Sequence, residues 1–141
     1  MRESVGTKTM LSGIRIARIA TVPVAVATQL KHQIAMLVEL GADLTVVCSD
    51  GVDIKLLSGM NGVRCEVVDI RRAISPGRDA LALIRLFFFF RRNLIQIAHS
   101  TTPKAGLLTA IAALLAGVPV RLHTFTGQPW VNMRGLKGWL S

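Results

Sequence analysis

The stretch Leu94–Leu122, LIQIAHSTTPKAGLLTAIAALLAGVPVRL, decides the fold. Leu94 to Ala98 (LIQIA) is a short apolar run of buried-strand length. Thr102-Pro103 follows as an N-cap residue and a first-turn proline, so a helix starts there, and Gly117 is placed to end it. Pro119 to Leu122 reads as the next strand. Ala105 to Val120 carries no charge, so helix and strand are expected to be buried. At 16 residues, broken by Gly117 and Pro119, the run falls short of the roughly 20 apolar residues that cross a bilayer. A strand, an apolar helix and a second strand in this order make a parallel crossover.

The same grammar extends upstream. Residues 1–12 read as a flexible N-terminal tail. Ile14 to Thr21, rich in Ile and Ala and ending before Pro23, is a buried strand. Leu30, Ile34, Leu37 and Val38 recur at helical spacing, with Gly41 as the stop, and Asp43 to Cys48 (DLTVVC) is a second apolar strand. Val63, Cys65 and Val67 alternate with Arg64 and Glu66, the period of a strand with one wet face at a sheet edge. Pro76-Gly77 opens a helix through about Arg92. The order is β-α-β-β-α-β-α-β, which implies an α/β fold: a Rossmann-like, doubly wound, mainly parallel sheet over residues 13–130. Right-handed crossovers make 3-2-1-4-5 the simplest strand order, with its reversal between the first and fourth strands. Residues 131–141 read as the start of a further helix.

Composition narrows the chemistry. The 141 residues carry a formal net charge of +9, but with 51% of them hydrophobic the chain is not of the disordered class. Every acidic residue lies at or before Asp79, so the second half offers no carboxylate for acid/base work, nucleophilic attack or a metal. Cys48 and Cys65 lack metal-ligand or CxxC spacing and read as buried thiols. The N-terminus has no apolar run of the secretory kind, so a cytoplasmic chain is expected.

In a sheet of this kind ligands sit beyond the carboxyl ends of the strands, where the order reverses. Three loops converge there: Thr21 to Ala27, His99 to Lys104, and His123 to Pro129. His99-Ser100-Thr101-Thr102-Pro103-Lys104 runs into a helix N-terminus, a place for a phosphate or carboxylate; alternatively, Thr102 merely caps the helix and Lys104 is solvated. His123-Thr124-Phe125-Thr126-Gly127-Gln128 is a dense polar cluster after a strand. The first loop contains no glycine, which argues against a dinucleotide and leaves no cofactor or metal expected.

Thr21-Val22-Pro23, the residues Arg72, Ile74, Ser75 and Pro76, and above all the TPKAG and RLHTFTGQ segments of Ala98 to Trp130 resemble the N-terminal domain of bacterial GT-B glycosyltransferases. The type is the retaining family 4 group that builds surface polysaccharides. The resemblance implies one half of a GT-B fold that binds a saccharide or lipid-linked acceptor. A nucleotide sugar would be held by a second domain carrying an E-x7-E motif, absent from this sequence. The chain is therefore expected to be a truncated or partial enzyme, inactive alone, or a split subunit. A non-catalytic accessory subunit or polyanion-binding module is the alternative. By the same resemblance His123 meets the reacting sugar as the catalytic residue, and Thr124, Gly127 and Gln128 shape its pocket. His99, Thr101 and Lys104 meet a phosphate, and Thr21, Pro23 and Ser100 complete the substrate-binding set. Thr101 replaces the second histidine of the family's H-x-H-x-P-K-A-G-like motif.

The helix after Pro76 is apolar nearly all round. Ala80, Leu83, Ile84, Phe87 and Phe90 are expected to form its buried stripe, leaving Arg78, Leu81, Arg85, Phe88, Phe89 and Arg92 near the other side, where the bases and aromatics suit an anionic membrane surface; alternatively, the run of four phenylalanines is simply core or is covered by a further domain. The location implied is the inner face of the cytoplasmic membrane, held peripherally. Nucleic acid is the rival for the charge, but no recognition helix or RNP-like aromatic motif is present.

Overall fold

The computed structural model describes residues 10–21, 31–50, 54–71 and 73–125. Pro23, Gly127, Gln128 and the helix expected over 131–141 lie outside them. The described elements are β1 (Arg15–Ile19), α1 (Lys31–Glu39), β2 (Asp43–Cys48), α2 (Ile54–Ser58), β3 (Val63–Val67), α3 (Pro76–Asn93), β4 (Ile97–Ser100), α4 (Pro103–Ala116) and β5 (Val120–His123). The strands form a parallel sheet in the order β3-β2-β1-β4-β5, the order the crossover argument gives. Its register runs Ile19↔Val47, Ile19↔Ser100 and Ser100↔His123, so the carboxyl ends of β1, β4 and β5 come level at the reversal point.

Alternation along the strands divides the core. Ala17, Ile19, Val47 and Ala98 face α3 and α4, where Leu86, Phe90, Leu108 and Ala112 cover them. Ile16, Ala20, Leu44, Val46 and Cys48 face the other way, under Ile34 of α1 and Leu57 of α2. Gly41 and Gly117 take positive φ at the ends of α1 and α4, where a Cβ would be strained.

Five details differ from the sequence reading. β5 and the outer face of α4, expected to be buried, are exposed, with Leu107, Leu114 and Leu115 each 63% exposed and Val120 41%. Cys65, expected to be a buried thiol, is only partly buried. A parallel crossover needs about a dozen residues, and the one from β2 to β3 contains α2, a helix of five residues too short to show a period. Leu94 does not start β4; it closes α3 in the left-handed region at φ 50°, and β4 begins at Ile97. The buried stripe of α3 is Ala82, Leu86, Phe89 and Phe90, and Ile84 lies half exposed. Phe89, expected at a membrane, is thus a core residue. Four consecutive phenylalanines carry no phase, and packing against α4 sets the rotation instead. Arg78, Arg85, Phe88 and Arg92 are exposed as expected, and no described helix is long and apolar enough to cross a membrane.

Candidate functional site

At the reversal point β1 is stitched to the start of α4. The Thr21 amide donates to Thr102 Oγ1 at 3.2 Å and the Thr101 amide to the Ile19 carbonyl at 3.1 Å. Thr102 holds the N-cap position of α4, but its hydroxyl serves β1 and makes no cap bond. The first turn of α4 therefore keeps its partial positive charge without a side-chain cap. Ser100 and Thr101 are buried, so the expected substrate contact through these hydroxyls is not at the surface. Thr101 Oγ1 instead points to the Ile19 carbonyl, 3.5 Å away.

His123 ends β5 against this helix start. Its Nδ1 lies 2.9 Å from Ser100 Oγ, and its ring meets Phe125 edge-on at a centroid distance of 4.6 Å. The ring rests on Gly106, the glycine of the PKAG segment. A Cβ there would sit 2.6 Å from His123 Cε1 and 2.7 Å from Nδ1. A glycine inside a helix costs about 1 kcal/mol against alanine; here it makes room for an imidazole. The sequence signal was that glycine, three residues after the proline that opens the helix.

His99 occupies the opposite face of the sheet. Arg18, its register partner on β1, donates through Nη1 to His99 Nδ1, and Nη2 reaches Gln33 Oε1 at 3.4 Å. A guanidinium can only donate, so Nδ1 is the acceptor and Nε2 carries the proton, given to Thr124 Oγ1 at 2.8 Å. Burial, the Arg18 charge and then the proximity of His123 push His99 down from 6.5 to about 4. His99 is thus a neutral donor at physiological pH, unsuited to neutralising a phosphate. Arg18 itself is 3% exposed, its Nε has no partner among the described residues, and burial lowers its pKa. The sequence reading missed it, although a charge inside RIARI was the available signal.

Because His99 binds no proton in the fold until about pH 4, stability should fall as pH drops from about 6.5, where the unfolded chain begins to take one up, toward 4. In Arg18→Met the ring keeps its burial but loses the neighbouring cation. Its pKa, followed by NMR of the ring protons, should rise from about 4 toward 6.5 without reaching it.

Lys104, expected to meet a phosphate, is committed elsewhere. Its Nζ pairs with Asp79 Oδ1 at 2.6 Å and donates to the Ala73 carbonyl, binding the start of α4 to the start of α3. The hydrogen bond from Lys104 holds the Asp79 carboxyl below its usual range. Beyond the carboxyl ends of β1, β2 and β3 lies a cavity of about 550 Å3 lined by Thr21, Asp50, Asp69, Ile70, Arg71 and Arg85. Of these, only Thr21 and Arg85 were singled out from the sequence. Asp50, Asp69 and Arg71 sit in loops where no motif marked them.

The profile of a family described as glycosyl transferase 4-like domain matches residues 24–141. Over 108 residues the chain is 31% identical to the capsular polysaccharide biosynthesis glycosyltransferase CapM of Staphylococcus aureus, a match covering 77% of this chain and 28% of that protein. Over 56 residues it is 41% identical to the UDP-Gal:alpha-D-GlcNAc-diphosphoundecaprenol alpha-1,3-galactosyltransferase of Escherichia coli, covering 40% and 14%. Among solved structures, MurG of Acinetobacter baumannii superposes with a TM-score of 0.55 at 20% identity, over 79% of this chain and 35% of MurG. The C-terminal domain of a Pyrococcus furiosus hydrogenase gives 0.51 at 15% identity, over 82% and 94%. At such identities the likeness shows the shared α/β fold, which hosts unrelated chemistries. The chain spans under a third of the length of the curated relatives it matches.

Proposed function

Because the chain belongs to the glycosyl transferase 4-like domain family, we propose that it is the acceptor-side half of a retaining glycosyltransferase of surface-polysaccharide synthesis. It works with a second domain that binds the nucleotide sugar and supplies the carboxylates missing after Asp79. The observation that carries this reading is His123: it stands at the carboxyl end of β5, and its Nδ1 is taken by Ser100, which leaves Nε2 to meet a sugar hydroxyl or ring oxygen. Thr124 follows His123 in sequence, but its hydroxyl is taken by His99 on the opposite face, so the pocket residues proposed beside His123 are Gly127 and Gln128. The relative that acts on a diphosphoundecaprenol-linked sugar supports a lipid-linked saccharide as the acceptor.

With the chain joined to a donor-binding domain, His123→Ala should lower sugar transfer about 100-fold or more, while His123→Asn, which can keep a hydrogen bond to the buried Ser100 hydroxyl, loses transfer similarly with little loss of stability. Unchanged transfer overturns the assignment.

With a nucleotide-sugar donor and a lipid-linked acceptor, the proposed reaction would run at the cytoplasmic face of the membrane. The outer side of α3 supports peripheral attachment there. Leu81, Ile84 and Phe88 are 49%, 51% and 58% exposed, between the exposed Arg78, Arg85 and Arg92. Sedimentation with phosphatidylglycerol vesicles should weaken in Phe88→Ser; undiminished binding speaks against attachment through this face.

A further inference from the structure

α4 lies on the sheet with a long apolar flank left bare. Leu107, Ala110, Ile111, Leu114 and Leu115 are all exposed, although no charged residue occurs between Lys104 and Arg121. These positions are three and four apart, so they form one continuous stripe. A helix that is apolar all round belongs in an interior, and this one has only half of its surface covered.

Local contacts fix the direction in which the stripe looks. Lys104 turns toward α3, where it meets Asp79, and Gly106 turns toward β5, where the His123 ring rests on it. Leu108, Ala112 and Ala113 lie between them, in the core over the sheet. With about 3.6 residues per turn, the positions that follow Gly106 round the helix and away from the sheet are Ala110, Leu114 and Leu107. These three therefore look out beside β5, the last strand in the sheet order.

The occupant that fits this place is in the chain itself. Parallel crossovers are right-handed, so a helix leaving β5 in the same outward progression as α4 leaves β4 lies on the α4 side of the sheet. In the sequence after Phe125, Met133, Leu136, Trp139 and Leu140 recur at helical spacing, with Arg134 and Lys137 off that stripe. The family profile extends to residue 141, so this stretch belongs to the same domain as α4.

We propose that residues 131–141 dock as a helix along Leu107, Ala110 and Leu114 of α4, with Met133, Leu136 and Leu140 turned inward. Docking would give α4 the apolar partner its sequence calls for. It would also hold the far end of the loop that starts at His123 and carries Gly127 and Gln128. The inference stands apart from the acceptor reading, since it uses no ligand.

Tryptophan fluorescence tests it. Trp130 and Trp139 are the two tryptophans of the chain, so in Trp130→Phe the emission reports Trp139 alone. Native emission should lie to the blue of the urea-unfolded chain at every protein concentration. Leu114→Glu, added to Trp130→Phe, puts a carboxylate on the stripe and should move the emission to the unfolded position and open Trp139 to acrylamide. Circular dichroism should stay that of a folded chain, because Leu114 is exposed on α4. Leu107→Ser, a milder change on the same stripe, gives the comparison should Leu114→Glu fail to fold. Leu81→Glu, on the exposed side of α3, should leave the emission in place. Native emission already at the unfolded position overturns the docking, and so does a blue shift that the stripe variants leave intact. A shift that grows only as a dimer forms in sedimentation equilibrium overturns it in favour of a second copy on the same stripe.

Discussion

Phe90→Ala is expected to destabilise the domain by about 3–5 kcal/mol, the range for truncating a fully buried phenylalanine. Phe90 is 2% exposed in the cluster that joins α3 and α4 to the sheet, alongside Leu86, Ala98 and Ala112. Domains of this size hold about 5–15 kcal/mol in all, so the loss approaches the whole stability of a marginal member. Phe88→Ala, two residues earlier and 58% exposed, should cost no more than about 0.5 kcal/mol. Urea unfolding of the pair checks both the magnitude and the rotation of α3. Similar losses in the two variants would mean that the helix presents a different face to the sheet.

Gly106→Ala is expected to separate folding from function. Inside α4 the substitution gains about 1 kcal/mol of helix propensity, which offsets the cost of moving one side chain. The side chain that must move is His123, since the new Cβ would stand 2.6 Å from its ring. Swinging the imidazole away breaks its 2.9 Å contact with Ser100 and takes Nε2 off its bearing. A misplacement of about 1 Å in a reacting site costs about 100-fold in rate. Sugar transfer, measured with a donor-binding domain joined to the chain, should fall by that order while the urea midpoint moves by less than about 1 kcal/mol. Full activity would show that His123 does not need its seat on α4.

The sheet was legible because its punctuation is local. Gly41, Gly117, Thr102-Pro103 and Pro76-Gly77 mark helix ends by backbone preference alone, and the handedness of crossovers then leaves one simple strand order. The phase of α3 was not legible, since Phe87 to Phe90 are apolar on every side and the choice among them is made by α4, a partner far along the chain. The site divides in the same way. His99 and His123 were visible as polar residues after strands, but the strand alternation that puts them on opposite faces became clear only with the register. The commitment of Lys104 to Asp79 joins residues 25 positions apart and leaves no local trace. Arg18 was hidden by its apolar neighbours, although its charge in RIARI was in plain view. Its burial beside His99 fixes a tautomer, which no spacing argument reaches.

On the proposed function, this domain recognises the acceptor and leaves the donor to a further domain. Equilibrium binding to the 141-residue chain alone decides this, with a saccharide on a polyprenyl diphosphate as one ligand and a panel of nucleotide sugars as the other. The expected result is saturable binding of the lipid-linked saccharide, no saturable binding of any nucleotide sugar, and no sugar transfer when both are present. Tight binding of a nucleotide sugar without the lipid-linked saccharide, or transfer by the chain alone, would contradict it.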